Sequence, residues 1–147
     1  MFYHRVKHTS VALLMAAFRS INTKSLYNLM DWIQLNSPEQ LAHIKSISSQ
    51  QDTLPIAIFK HSTRCSISSM ALSRLERGEL KSPTKITFYY LDLLAHRNLS
   101  NQIATDFGVM HESPQLLLIK NGECVFSSTH SQITYPDSSL LNEFISA

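Results

Sequence analysis

The stretch Leu54-Pro-Ile-Ala-Ile-Phe-Lys-His-Ser-Thr-Arg-Cys-Ser-Ile-Ser-Ser-Met70 decides the fold. Leu54 to Phe59 is apolar almost without break, as a strand covered on both faces requires. A polar elbow follows, and beyond Cys65 the apolar positions Ile67, Met70, Ala71 and Leu75 recur at helical spacing up to Gly78, which reads as the helix stop. The sequence therefore predicts strand, elbow and helix, with a thiol where the helix opens. The first N–H groups of a helix lack intrahelical partners, and its aligned peptide dipoles leave partial positive charge there. A sulfur at that point is stabilised as thiolate, and Arg64 can add to the effect. A free thiol, with a pKa of ~8.5, is only a few per cent ionised near neutral pH, whereas thiols at helix N-termini fall to roughly 3.5–7.5. The bland alternative is a small buried hydrophobe, against which polar Thr63 and Arg64 weigh.

Ser68 sets the kind of chemistry. In a dithiol C-x-x-C site the residue three beyond the attacking sulfur is a resolving cysteine, but here the run reads Cys65-Ser66-Ile67-Ser68. A hydroxyl cannot resolve a mixed disulfide. Cys65, if reactive, is expected to act as a monothiol released by an outside thiol.

Strand-like and helix-like segments alternate on both sides of this unit. Trp32 to Leu35 is a short strand candidate. Ser37-Pro38-Glu39-Gln40 is a helix start with Ser as N-cap, Pro at the first position and Gln able to close a capping box, and Leu41, Ile44 and Ile47 mark the apolar face. Ile86 to Leu91 is β-branched and aromatic, with Asp92 at its end. Ser100 reads as the cap of a helix containing Ile103, Ala104 and Phe107 and closed by Gly108. Gln115 to Lys120, Asn121-Gly122 and Glu123 to Phe126 form a hairpin, because both turn residues tolerate positive φ. Asp137-Ser138 precedes a last helix with Leu140, Leu141, Phe144 and Ile145. The order is βαβαβαββα. Strands joined through helices are expected to run parallel and the hairpin antiparallel, giving a mixed sheet flanked by helices, an α/β architecture of thioredoxin-like topology.

The 147 residues suffice for one domain without staples. A hydrophobic content of 44% with 16% charged residues places the chain among ordinary globular proteins. The net charge of +2 is misleading, because Arg5, Lys7, Arg19 and Lys24 stand among residues 1–29 with no acid beside them. The rest is mildly acidic, so no nucleic-acid partner is expected. Residues 1–29 are read as a flexible or loosely helical extension and residues 30–147 as the domain. The apolar run Val11 to Phe18 is interrupted by Arg19, lacks a clean cleavage site and is too short to span a bilayer, so no stable membrane association is expected. Cys65 and Cys124 are too few for a disulfide scaffold and lack zinc-site spacing, so no metal is expected. Cys124, in a strand past the hairpin turn, reads as a packed thiol. His61 reads as a solvent-facing elbow residue.

Three separated blocks carry a family resemblance. His61-Ser-Thr-Arg-Cys-Ser-Ile-Ser-Ser-Met70, Ser113-Pro-Gln-Leu-Leu-Leu-Ile-Lys-Asn-Gly122 and Thr129-His-Ser-Gln-Ile-Thr134 resemble the monothiol bacilliredoxins of the YtxJ-like family. That family usually has Pro directly after the cysteine, where this chain has Ser66. The resemblance implies that Ser113-Pro114 is a cis-proline site facing Cys65. It implies a thiol–disulfide oxidoreductase that removes bacillithiol from S-thiolated client proteins, with Cys65 as the nucleophile and Thr63, Arg64, Ser68, Ser113 and Pro114 around the substrate. No tightly bound cofactor is implied; bacillithiol or a similar low-molecular-weight thiol is the co-substrate, and the setting is cytoplasmic. Two rival readings are an iron–sulfur cluster carrier and a non-enzymatic thiol sensor or adaptor.

Overall fold

The computed structural model describes residues 30–50 and 52–145. The expected extension, residues 1–29, lies outside them. Five strands follow one another as β1 (Trp32–Gln34), β2 (Ile56–His61), β3 (Phe88–Asp92), β4 (Gln115–Lys120) and β5 (Glu123–Thr129). The helices are α1 (Pro38–Ser48), α2 (Ser66–Lys81), α3 (Arg97–Asp106) and α4 (Ser138–Glu143), with a 3-10 turn at His130–Gln132. The order is thus βαβαβαββα.

The strands lie side by side as β1-β3-β2-β4-β5. β1, β3 and β2 are parallel, while β4 runs antiparallel to β2 and β5 antiparallel to β4. One expectation is corrected here. β3 and β4 are joined through a helix, yet they run in opposite directions. Residues 107–114 bring the chain back to the edge where β2 and β3 end, so β4 starts beside Lys60 rather than at the far end of the sheet.

Alternation along β2 splits the core into two layers. Ala57 and Phe59 pack with Ala71 and Leu75 of α2, Leu141 of α4, and Ile133 and Tyr135. Ile56 and Ile58 pack with Leu41 and Ile44 of α1 and Leu99 and Ile103 of α3. β2 is the central strand, buried on both faces, and its first four residues, Ile56 to Phe59, are apolar.

Local chemistry explains the element ends. Ser37 caps α1, its Oγ accepting the Gln40 N–H while the Gln40 side chain takes the Ser37 N–H, the expected capping box. Asn121 and Gly122 both have positive φ, +55° and +75°, as the hairpin turn requires. Asp137 caps α4 by accepting the Leu140 N–H.

Three helix assignments from sequence change. α2 does not stop at Gly78 but runs to Lys81; it ends where Pro83 forces Ser82 into an extended conformation. α3 begins at Arg97 with His96 as N-cap, so Ser100 is an interior residue, buried, with its Oγ 3.3 Å from His111 Nδ1. The buried stripe of α2 is Ser68, Ala71 and Leu75, whereas Ile67 is 49% and Met70 61% exposed. Ala71 and Leu75 face the core as the spacing predicts, while Ile67 and Met70 do not, because Ser68 replaces them as the residue of the first turn that faces the sheet.

Candidate active site

Cys65 is the N-cap of α2, with extended backbone angles (φ −111°, ψ 120°), and its side chain makes no capping hydrogen bond. The Cys65 carbonyl accepts the Ser69 N–H at 3.1 Å, the first bond of the helix, and the Cys65 N–H is held at 3.1 Å by the Ser62 carbonyl. The sulfur is thereby left at the mouth of a 16-residue helix without being used by its backbone. The residue is half-exposed and its thiol is free.

The neighbours expected from sequence divide into two groups. Thr63 and Arg64 are exposed in the turn that leads into Cys65. Ser113–Pro114 is a cis peptide bond, as expected. Because Lys60 is in register with Gln115 and His61 with Asp92, Pro114 and the end of β3 share the sheet edge from which the Cys65 elbow leaves. The Pro114 carbonyl accepts the His130 N–H at 3.2 Å. Ser68 differs from the expectation of a substrate contact. It is fully buried, and its Oγ lies 2.7 Å from His61 Nδ1 and 3.0 Å from the Ser62 N–H that it accepts.

His61 corrects a second expectation. It is not a solvent-facing elbow residue but the last residue of β2, buried, with its ring 5.7 Å from that of Phe59 and 5.4 Å from that of Tyr90. Burial holds its pKa below the ordinary histidine value, outweighing the Asp92 carboxylate nearby and the Ser68 backbone, both of which favour the imidazolium. The imidazole is therefore neutral at physiological pH. The elbow is shorter than the sequence implied, running from Ser62 to Cys65. Lys60 and His61 read as the end of the apolar run, yet both are buried in β2, and nothing in a single sequence marks a polar residue as buried.

Lys60 is fully buried on the opposite face from His61, and its Nζ has no hydrogen-bond partner among the described residues. Desolvation lowers its pKa to about 8. Cys124 lies on β5 against the second core layer, its Sγ 3.2 Å from the Phe126 carbonyl, and burial pushes its thiol up. It has the environment of a packed thiol. Asp92 spends one carboxylate oxygen on the N–H groups of Leu94 and Ala95, at 3.0 and 3.4 Å, and so shapes the turn after β3. The His130 carbonyl accepts Arg74 Nη2 at 2.7 Å, a structural tie between α2 and the chain after β5. Among the described residues, no three His, Cys, Asp or Glu side chains converge as a metal site, and no helix is long and apolar enough to cross a membrane.

Comparison with known proteins agrees with this geometry. A thioredoxin-fold protein described as a candidate oxidoreductase superposes with a TM-score of 0.59 at 29% identity, covering 76% of this chain and 91% of the other. Thioredoxin NaTrxh from Nicotiana alata gives 0.54 at 23% identity, with 69% and 82% covered. Mitochondrial thioredoxin 3 from Saccharomyces cerevisiae gives 0.52 at 15% identity, with 78% and 93% covered, and shares the fold. The sequence model of the monothiol bacilliredoxin BrxC family matches residues 33–137, which include β2, the Cys65 elbow, the Ser113–Pro114 edge and the hairpin. With Cys65 at the helix mouth and a buried serine where a second cysteine would stand, the chain belongs to the monothiol bacilliredoxin family, on a thioredoxin-like oxidoreductase fold.

Proposed function

We propose that this protein is a cytoplasmic monothiol thiol–disulfide oxidoreductase that removes bacillithiol from S-bacillithiolated proteins through Cys65. The observation that carries the reading is the pairing of a half-exposed thiol at the mouth of α2 with a buried hydroxyl three residues on. Such a site can form a mixed disulfide but has no internal sulfur in its first helical turn with which to resolve it.

The Cys65 thiolate attacks the bacillithiol sulfur of the client's mixed disulfide. The bond from Cys65 to bacillithiol forms as the bond from bacillithiol to the client breaks, and the client thiolate leaves and takes up a proton. A second low-molecular-weight thiol then attacks the adduct, freeing Cys65 and carrying away both small thiols as a disulfide. One disulfide is exchanged for another: the client sulfur is reduced, the incoming small thiol is oxidised in its place and the transferred bacillithiol sulfur stays at the disulfide level, so the electrons balance without a bound cofactor.

Thr63 and Arg64 border the approach to the sulfur in this reading. Ser113, rather than Pro114, is the backbone partner for an extended substrate, since proline has no N–H and its carbonyl is taken by His130. The exposed Ile67 and Met70 on the first turns of α2 offer apolar contact to a client beside Cys65.

The deciding experiment incubates a bacillithiol-modified client with the wild-type protein and with Cys65→Ser, and follows both chains by intact mass. The wild type is expected to release the client thiol and to gain one bacillithiol on Cys65. A client that keeps its adduct in the presence of the wild type removes the reading.

A further inference from the structure

His61 and Ser68 meet inside the protein at the base of the Cys65 elbow. His61 closes β2, Ser68 stands in the first turn of α2, and both are buried. The Ser68 Oγ lies 2.7 Å from His61 Nδ1 and accepts the Ser62 N–H at 3.0 Å, and the Ser62 carbonyl in turn accepts the Cys65 N–H at 3.1 Å. A single hydroxyl thus ties the strand end, the elbow and the helix start together. A serine hydroxyl has one proton to donate, and Nδ1 is the acceptor that the described contacts offer it, since the Ser62 N–H donates into the oxygen. That arrangement pairs every polar group of the Ser68 hydroxyl and goes with the neutral tautomer protonated at Nε2.

We propose that His61 and Ser68 are a positioning pair for Cys65, holding residues 62–65 in the conformation that presents the thiol while the imidazole is neutral, and releasing them when His61 is protonated. The inference rests on the reading of Cys65 as the nucleophile and adds how that site is held and regulated. Protonation turns Nδ1 from an acceptor into a donor, and the Ser68 proton then loses its acceptor in a buried place where unpaired polar groups are costly. The groups around the ring are Ser68 from α2, Tyr90 and Asp92 from β3 and Phe59 on its own strand. Of these, the Asp92 carboxylate favours the imidazolium and burial opposes it more strongly, so release belongs to mildly acidic conditions.

The test measures alkylation of Cys65 by iodoacetamide from about pH 5 to about pH 9 in the full-length chain carrying Cys124→Ser. Emission of Trp32, the one tryptophan, is recorded in parallel, because its ring packs on Phe59 and Tyr90 and these pack on His61. The expected profile has an inflection below the ordinary histidine pKa of ~6.5 in addition to thiol ionisation, with a matching step in Trp32 emission. His61→Asn, whose carboxamide oxygen accepts from Ser68 without titrating, should keep the neutral-pH rate and lose the inflection. Ser68→Ala should alkylate about tenfold more slowly and also lose it, as expected for a misplaced nucleophile. If Ser68→Ala does not fold, His61→Leu removes only the acceptor and carries the same expectation, with Asn at that position as the rescue. Wild-type rate and profile in Ser68→Ala, or in His61→Leu where that substitute is used, overturn the pair; a wild-type profile without the acidic inflection overturns the release. Alkylation needs neither client nor bacillithiol, so failure of the positioning pair and failure of the proposed function are read separately.

Discussion

Gly78 of α2 and Tyr135 of the chain after β5 touch without room for a side chain between them, since a Cβ at position 78 would overlap the Tyr135 Cβ. The contact matters because Tyr135 carries the approach to β3. Its hydroxyl donates to the Thr84 carbonyl at 3.0 Å and accepts the Ile86 N–H at 3.3 Å, and its ring lies 5.4 Å from Phe88. Alanine at position 78 would gain about 1 kcal/mol of helix propensity. Displacing backbone-anchored Tyr135 costs about 1–3 kcal/mol, so Gly78→Ala is expected to be net destabilising. Urea unfolding checks the sign; a stabilised variant means that the 133–136 segment yields freely.

Lys60 predicts an alkaline rise in stability. Its folded pKa of about 8 lies below the ordinary lysine value of 10.5, so between those limits the unfolded chain binds more protons than the folded one. Below about pH 8 both states are charged and the group contributes no slope. From there to about pH 10.5 the folded state is favoured progressively, by about 3 kcal/mol in all. Lys60→Met should be more stable than wild type by about 1–3 kcal/mol at neutral pH, since a buried unpaired charge is replaced by a flexible apolar chain. The advantage should shrink as the pH passes 9–10, and comparison of urea midpoints at both ends of the range measures it.

The two thiols should separate cleanly. Cys124 is held up by burial and bonded to the Phe126 carbonyl, while Cys65 stands half-exposed at a helix mouth. Cys65→Ser is expected to abolish removal of bacillithiol from a client, and Cys124→Ser to leave most of it. Single-turnover release followed by mass spectrometry distinguishes them; an inactive Cys124→Ser reverses the monothiol assignment.

Met30 belongs to the core, and we propose that the domain begins with it. It is 4% exposed and packs in the first core layer with Phe59, Phe88 and Tyr135. Removing residues 1–29 is expected to leave thermal unfolding cooperative and exchange unchanged, whereas Met30→Ala should cost about 2–4 kcal/mol. Loss of folding on removing residues 1–29 would count that segment as part of the core.

Much of the fold was legible because its local signals are short-range. The capping box at Ser37 and Gln40 and the Asn121-Gly122 turn each involve residues within four positions of one another, each formed where the sequence placed it, and the last helix starts after Asp137 as read. The position of Cys65 at the start of α2 belongs to the same class, because a strand, a polar elbow and a helical period suffice to locate it.

Where partners come from afar, the sequence was silent or misleading. Gly78 looks like a helix stop until Tyr135, distant in the chain, is seen to require its missing side chain. Ser100 looks like a cap until it is found buried beside His111. The direction of β4 depends on how residues 107–114 return to the edge beside Lys60, and no periodicity encodes that path.

The amino-acid order by itself determined the βαβαβαββα succession, the monothiol at the mouth of a helix and the hairpin, because backbone hydrogen-bonding chemistry is local and reads out over a few residues. Only the tertiary structure decided that Lys60 and His61 are interior, that Ser68 is buried against His61, and that α2 continues past its glycine. Burial is a property of what the rest of the chain packs against a residue, so a polar side chain carries no sign of it until the layers have closed.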